Sequence, residues 1–232
     1  MRYYVICGET SGDQHAAKVI QQINERDSKA VFRGMGGDEC AKAGLDLQIH
    51  IREMAFMGFA EVLQNLGKVR KALTQIKKDI KQWNPDAVIL VDYPGFNLRI
   101  AAYAKSLHLP TFYYIAPKAW AWKEKRVKKL KDNTHMVFSI LPFEMDFFQS
   151  RGVNIQYVGN PSKESVAAFR KTHNYQPEKT IALIPGSRKQ EIKSSLHVML
   201  EASRNSGYKK ISVSQAPHIE EEFYYAIDPH IE

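Results

Sequence analysis

Cysteine is scarce in this sequence, and its two residues, Cys7 and Cys40, are too few to staple a small secreted scaffold. That scarcity points to a reducing, cytoplasmic setting. No apolar run approaches the roughly 18 residues that a membrane-spanning helix needs. The start, MRYYVICGETSGD, has only a short apolar stretch and no small-residue cleavage site, so it reads as a first strand rather than a signal peptide. The eight histidines are scattered, with no pair at helical spacing beside a carboxylate. No metal and no cofactor is therefore expected. A DxD pair is missing, against a metal-dependent nucleotide-sugar enzyme, and so is a GxSxG elbow, against an α/β-hydrolase. Neither early glycine loop has dinucleotide or Walker spacing. GETSGD at 8–13 has its glycines four apart, and GMGGDEC at 34–40 carries Glu39 where the fingerprint's last glycine belongs, so close backbone packing is the better reading of the latter.

What the chain does contain is an ordinary globular share of apolar residues, 44% over 232 residues. Strand candidates recur at 3–7, 30–32, 87–91, 111–115, 135–140, 155–158, 180–184 and 210–213. Helical stretches fit between them at 14–26, 61–82, 97–107, 119–131, 143–150 and 189–205. That alternation predicts an α/β fold, a Rossmann-like parallel sheet with helices on both faces. The polar stretch after Val158 breaks the rhythm. We therefore divide the chain into a first domain over 1–160, a linker over 161–178 and the beginning of a second Rossmann-like domain over 179–232. Only about one and a half βα units follow the linker, fewer than an independent domain of ordinary size contains.

A net charge of +8 suggests an anionic partner. In KVRKALTQIKKDIK at 68–81, Val69, Leu73, Ile76 and Ile80 recur at spacings of three and four, so its lysines form the wet face of an amphipathic helix. The second basic run, KEKRVKKLK at 123–131, follows the aromatic YYIAPKAWAW directly. Trp120 and Trp122 beside Lys123 and Arg126 suit acyl chains and anionic headgroups. The plainer alternative buries one tryptophan and solvates the lysines.

Three strand-tip loops carry candidate chemistry. AVILVDYPGFN at 87–97 reads as a buried parallel strand ending at Asp92, with Asn97 placed to cap a helix beginning at Leu98. Asp92 then either does chemistry at the carboxyl end of the strand or ties down an Asx turn. Glu9 stands at another strand tip, suited to a hydroxyl-bearing ligand or to a solvated or capping role, while Ser11 or Asp13 would cap a helix starting at Gln14. Two carboxylates lining one crevice can divide general-base and orienting work. In TIALIPGSRKQEI, Gly186, Ser187 and Arg188 precede a helix start, a pattern that favours a diphosphate, against a surface arginine that caps nothing.

Taken in order, GETSGD, GMGG, AFMGFAEVL at 55–63, VDYPGFN, YYIAPKAWAWKEKRV, LPFE at 141–144, VGNP at 158–161 and IPGSRKQEI resemble the lipid-A-disaccharide synthases over nearly the whole chain. The resemblance implies a GT-B glycosyltransferase with acceptor and UDP-sugar domains facing across a cleft. The implied reaction moves 2,3-diacylglucosamine, with inversion, from UDP-2,3-diacylglucosamine to 2,3-diacylglucosamine 1-phosphate. By matching motif, Asp92 takes the place of the general base, Glu9 of an active-site acid, and Arg188, with Ser187 and Gly186, of the UDP diphosphate site. Trp120, Trp122, Lys123 and Arg126 fall in the region that meets lipid and membrane. The implied setting is the inner face of the inner membrane, as a peripheral protein and a possible homodimer, with no nucleic acid among its partners. Gly95 stands where many relatives have a second acid, and Asn160 replaces a histidine. The family extends well beyond residue 232, so the resemblance also implies an incomplete donor half; the alternative is a non-catalytic fragment that keeps only acceptor and membrane binding.

Overall fold

The structure, a computed structural model, describes residues 1–54, 66–121, 124–173, 179–208, 210–216, 219–229 and 231. It divides into two compact units, Met1–Ala168 and Phe169–Glu232.

The first unit is built on seven parallel strands: β1 (Arg2–Ile6), β2 (Val31–Gly36), β3 (Leu45–His50), β4 (Ala87–Val91), β5 (Thr111–Tyr114), β6 (Met136–Ser139) and β7 (Ile155–Tyr157). Their order is β3-β2-β1-β4-β5-β6-β7, every pairing parallel. The helices are α1 (Thr10–Arg26), α2 (Asp38–Lys42), α3 (Leu66–Trp83), α4 (Pro94–Ser106), α5 (Lys125–Asn133), α6 (Glu144–Gln149) and α7 (Pro161–Thr172). This is the Rossmann-like α/β arrangement that the alternating pattern predicts. Every residue of β4 is buried, as a strand covered on both faces requires. Along α3, Ala72, Ile76 and Ile80 face the core; Lys68, Lys71, Lys78 and Lys81 are exposed as their spacing implies, while the half-buried Lys77 lies over the ring of Tyr103.

Several local expectations give way to tertiary context. Strand β3 has no counterpart in the sequence reading, because its short alternation LDLQIH is a weak signal. Arg33 on β2 secures it, bonding Asp46 at 2.6 Å, Gln48 at 2.7 Å and, across the sheet face, Asp79 of α3 at 2.9 Å. Helix α1 begins at Thr10 and α4 at Pro94, so Asp13 and Asn97 lie inside helices and neither caps its own. Helix α5 begins only at Lys125, and Trp120 stands in the loop before it. The stretch assigned to a linker opens with α7, and the division between compact units falls within that helix. The segments 55–65 and 174–178, on which parts of the sequence reading fall, lie outside the described residues.

The second unit pairs β8 (Thr180–Leu183) with β9 (Lys210–Val213) in parallel and adds α8 (Lys189–Arg204) and α9 (Glu221–Tyr225). Its core gathers Leu183, Ile192, Leu196, Leu200, Ala216, Ile219 and Tyr224. Tyr224 is buried with its hydroxyl accepting the Ala216 N–H at 2.9 Å, so the polar tip of the ring is satisfied.

Candidate active site

In the first sheet the strand order reverses between β1 and β4, and such a switch point opens a crevice at the carboxyl ends of the strands. Glu9 follows β1 and Asp92 follows β4, so the topology brings the two sequence-predicted carboxylates to that crevice.

Asp92 and Tyr93 are both left-handed, with φ of 46° and 48°. For non-glycine residues this costs about 1–2 kcal/mol each, and the surroundings hold it in place. The Asp92 N–H donates to the Tyr114 carbonyl at 2.9 Å. Its own carbonyl accepts from Asn97 Nδ2 at 2.8 Å and from the Tyr113 hydroxyl at 2.6 Å. Asn97, wholly buried, also reaches the carbonyls of Val91 at 3.2 Å and Ile6 at 3.4 Å, lacing β1 to β4. The ring of Tyr93 stacks on Phe96 and packs over Gly8, where a Cβ would come within 2.2 Å of it. That contact explains the first glycine of GETSGD. The Asx-turn alternative fails on elementary grounds, since the N–H it needs two residues on is missing from Pro94. The turn is held through the backbone of Asp92, and its carboxylate takes the Tyr93 N–H from that turn.

Burial, and next the charge of Glu9, push the Asp92 carboxyl above the usual carboxylate range; the Tyr93 N–H and the cations Lys118 and Arg126 pull the other way. Burial and the charge on Asp92 hold the Tyr113 phenol well above its ordinary value, so it stays a proton donor. Glu9 is exposed at the position preceding α1, and its side chain makes no cap bond.

Asp13 has a role that local reading misses. Its buried carboxylate accepts the N–H groups of Gly37 at 2.6 Å, Glu39 at 3.0 Å and Cys40 at 3.1 Å, capping α2 from a different helix. A Cβ on Gly37 would lie 2.5 Å from Asp13 Oδ2, and one on Gly36 2.8 Å from the Cβ of Cys40. GETSGD and GMGG are thus two halves of one packed joint. The ligand atoms of Cys7, Asp13 and Cys40 lie within 4.8 Å of one another. Asp13 is already committed to three N–H donors, and contact with Cys7, then burial, push the Cys40 thiol far up. A metal would need the opposite: a free carboxylate and thiolates.

After β5, Trp120 is 40% exposed and Phe143 is 51% exposed, the rings meeting edge to face at 5.0 Å. The indole N–H donates to Glu144 at 3.1 Å, and Glu144 is buried. The half-buried Arg126 is close enough to act on the charges of Asp92 and Tyr113. Trp122 and Lys123 lie outside the described residues. Sequence reasoning overlooked Asn97 as a lattice of carbonyl contacts, Tyr113 and Glu144; a buried Asn, Tyr or Glu announces itself only once its partners are known.

In the second unit, Gly186 has φ of 114° and its chain turns into α8 behind Arg188. The helix start is not open to an anion as the motif suggests. The Glu191 carboxylate folds back onto it, accepting the Ser187 N–H and the Arg188 guanidinium, each at 3.3 Å. An incoming diphosphate would compete with that side chain, although Arg188 stays exposed.

A family profile described as Lipid-A-disaccharide synthetase matches residues 3–218. The protein named lipid-A-disaccharide synthase from Myxococcus xanthus (strain DK1622) is 37% identical over 232 aligned positions, which cover 95% of this chain and 61% of that protein. Its namesake from Nitrosococcus oceani is 36% identical, covering 86% of this chain and 53% of its own length. The chain therefore spans between about half and three fifths of the length of these relatives. Among solved structures, a putative UDP-N-acetylglucosamine 2-epimerase from Listeria monocytogenes superposes with a TM-score of 0.64 at 12% identity, over 97% of this chain and 65% of that one, a likeness of fold.

Proposed function

This chain belongs to the lipid-A-disaccharide synthetase family, and from that membership we propose that it takes part in hexosyl transfer, with Asp92 as the general base. The transfer moves 2,3-diacylglucosamine from UDP-2,3-diacylglucosamine to 2,3-diacylglucosamine 1-phosphate. The observation that carries this reading is the placement of Asp92: a carboxylate at the switch point, in a strained and tightly laced turn, with its proton affinity raised.

The acceptor's 6-hydroxyl loses its proton to the Asp92 carboxylate as its oxygen bonds to the anomeric carbon. The bond from that carbon to the diphosphate breaks on the opposite face, inverting the centre and releasing UDP. A raised pKa strengthens Asp92 as a base near neutrality. Glu9 contributes to that elevation and orients the sugar hydroxyls. Lys118 and Arg126, whose charges reach Asp92, suit the acceptor phosphate. Arg188, with Ser187 and Gly186, meets the diphosphate in place of the Glu191 carboxylate that covers them, and positive charge there stabilises the departing UDP. Trp120, with Trp122 and Lys123, meets acyl chains and an anionic membrane surface, consistent with a peripheral protein at the inner face of the inner membrane. Among the described residues, no helix is long and apolar enough to cross a membrane.

Transfer measured with both acylated substrates tests the assignment. Asp92→Asn is expected to lower kcat by about 10²–10⁴-fold while acceptor affinity stays within a few-fold. Turnover near that of the unaltered protein would remove Asp92 from the role of base. Acceptor binding with no turnover by the unaltered chain would favour an acceptor-binding module.

A further inference from the structure

Glu144 is 1% exposed, yet it is a carboxylate. A buried carboxylate is retained only where donors meet it, and both of its oxygens are engaged. Oε2 accepts the hydroxyl of Ser139, the last residue of β6, and Oε1 accepts the indole N–H of Trp120 at 3.1 Å. Ser139 is wholly buried and is itself held in place, its oxygen accepting the Leu141 N–H at 3.1 Å. The rigid end of β6 therefore fixes Ser139, Ser139 fixes Glu144, and Glu144 fixes Trp120.

Trp120 needs such a tether. It sits in a loop and is 40% exposed, so packing alone does not set the rotation of its ring. The neighbour it meets edge to face, Phe143, is 51% exposed and immediately precedes Glu144 in the chain. One short segment thus supplies both the second ring and the anchor for the first. We propose that Glu144 is a positioning residue, holding Trp120 through its indole N–H so that Trp120 and Phe143 form a fixed apolar shelf for an acyl chain at the same end of the sheet as Asp92. This rests on the reading of Trp120 as an acyl contact.

The probes are 2,3-diacylglucosamine 1-phosphate and acyl-free glucosamine 1-phosphate, with fluorine NMR of the protein labelled with 5-fluorotryptophan. Glu144→Ala and Trp120→Phe should each weaken binding of the acylated probe about 10-fold, the loss of one well-made hydrogen bond to a charged group, and change the acyl-free probe less than twofold. Glu144→Gln, which keeps an acceptor for the indole, should restore most of the affinity. Glu144→Ala should also move the Trp120 resonance alone, toward that of a freely rotating ring. If Trp120→Ala leaves acylated affinity intact, the acyl-contact reading itself falls. If Trp120→Ala weakens it while Glu144→Ala and Trp120→Phe do not, the positioning role alone is overturned. Should Glu144→Ala fail to fold, replacing Trp120 by benzothienylalanine decides the matter, since it keeps the bicyclic ring and exchanges only the N–H for sulfur.

Discussion

At Asp92 the fold holds a carboxyl group whose ionisation works against folding, because burial and the neighbouring Glu9 both favour its neutral form. Its folded pKa lies above its unfolded value, so between the two the native state binds more protons than the unfolded chain. Stability contributed by this group is then present below the unfolded value and lost as pH rises through the folded one. Asp92→Asn, neutral and of the same shape, should raise the melting temperature at pH 7, and the gain should vanish on acidification below the ordinary carboxylate range. Thermal melts of both proteins across pH check this; an equal or lower melting temperature for the variant at pH 7 would contradict it. The residue was legible in the sequence as an acid ending an apolar strand. Its proton affinity was not, since that depends on burial and then on Glu9, distant in the chain.

The turn between β4 and α4 shows how an element borrows its geometry from elsewhere. Local rules place Asn97 as the helix cap, and Pro94 suits a first helical position. The helix instead starts at Pro94 because Tyr93 takes a left-handed conformation. It can do so only where residue 8 has no side chain beneath its ring and where Asn97 and Tyr113 pin the Asp92 carbonyl. Gly8→Ala should therefore destabilise the protein by about 2–3 kcal/mol, the usual cost of overpacking a close-packed contact. In the Tyr93→Ala background the same substitution should cost less than about 1 kcal/mol. Urea denaturation of the four proteins in the cycle measures the coupling. Additive effects would show that the ring does not set the requirement for glycine. The same dependence on distant partners explains Asp13, whose capping of α2 no local pattern announces.

On the scale of the whole molecule, the charge of +8 and the exposed Trp120–Phe143 pair predict a surface that prefers anionic bilayers. The chain should sediment with phosphatidylglycerol vesicles and not with phosphatidylcholine vesicles. Raising salt should weaken the binding, and Trp120→Ala should weaken it further. Equal binding to both vesicle types would remove charge as the cause. The sequence by itself determined the alternation of strands and helices, the burial of β4 on both faces and the position of Asp92 at a strand tip. These follow from side-chain periodicity and strand length, which are local. Tertiary structure alone decided the rest: the edge strand β3, the raised proton affinity of Asp92 through burial and Glu9, the glycines of GMGG packed against Asp13, and the buried acid behind Trp120. Each of these depends on neighbours far apart in the chain and on the exclusion of water between them, and a linear pattern specifies neither.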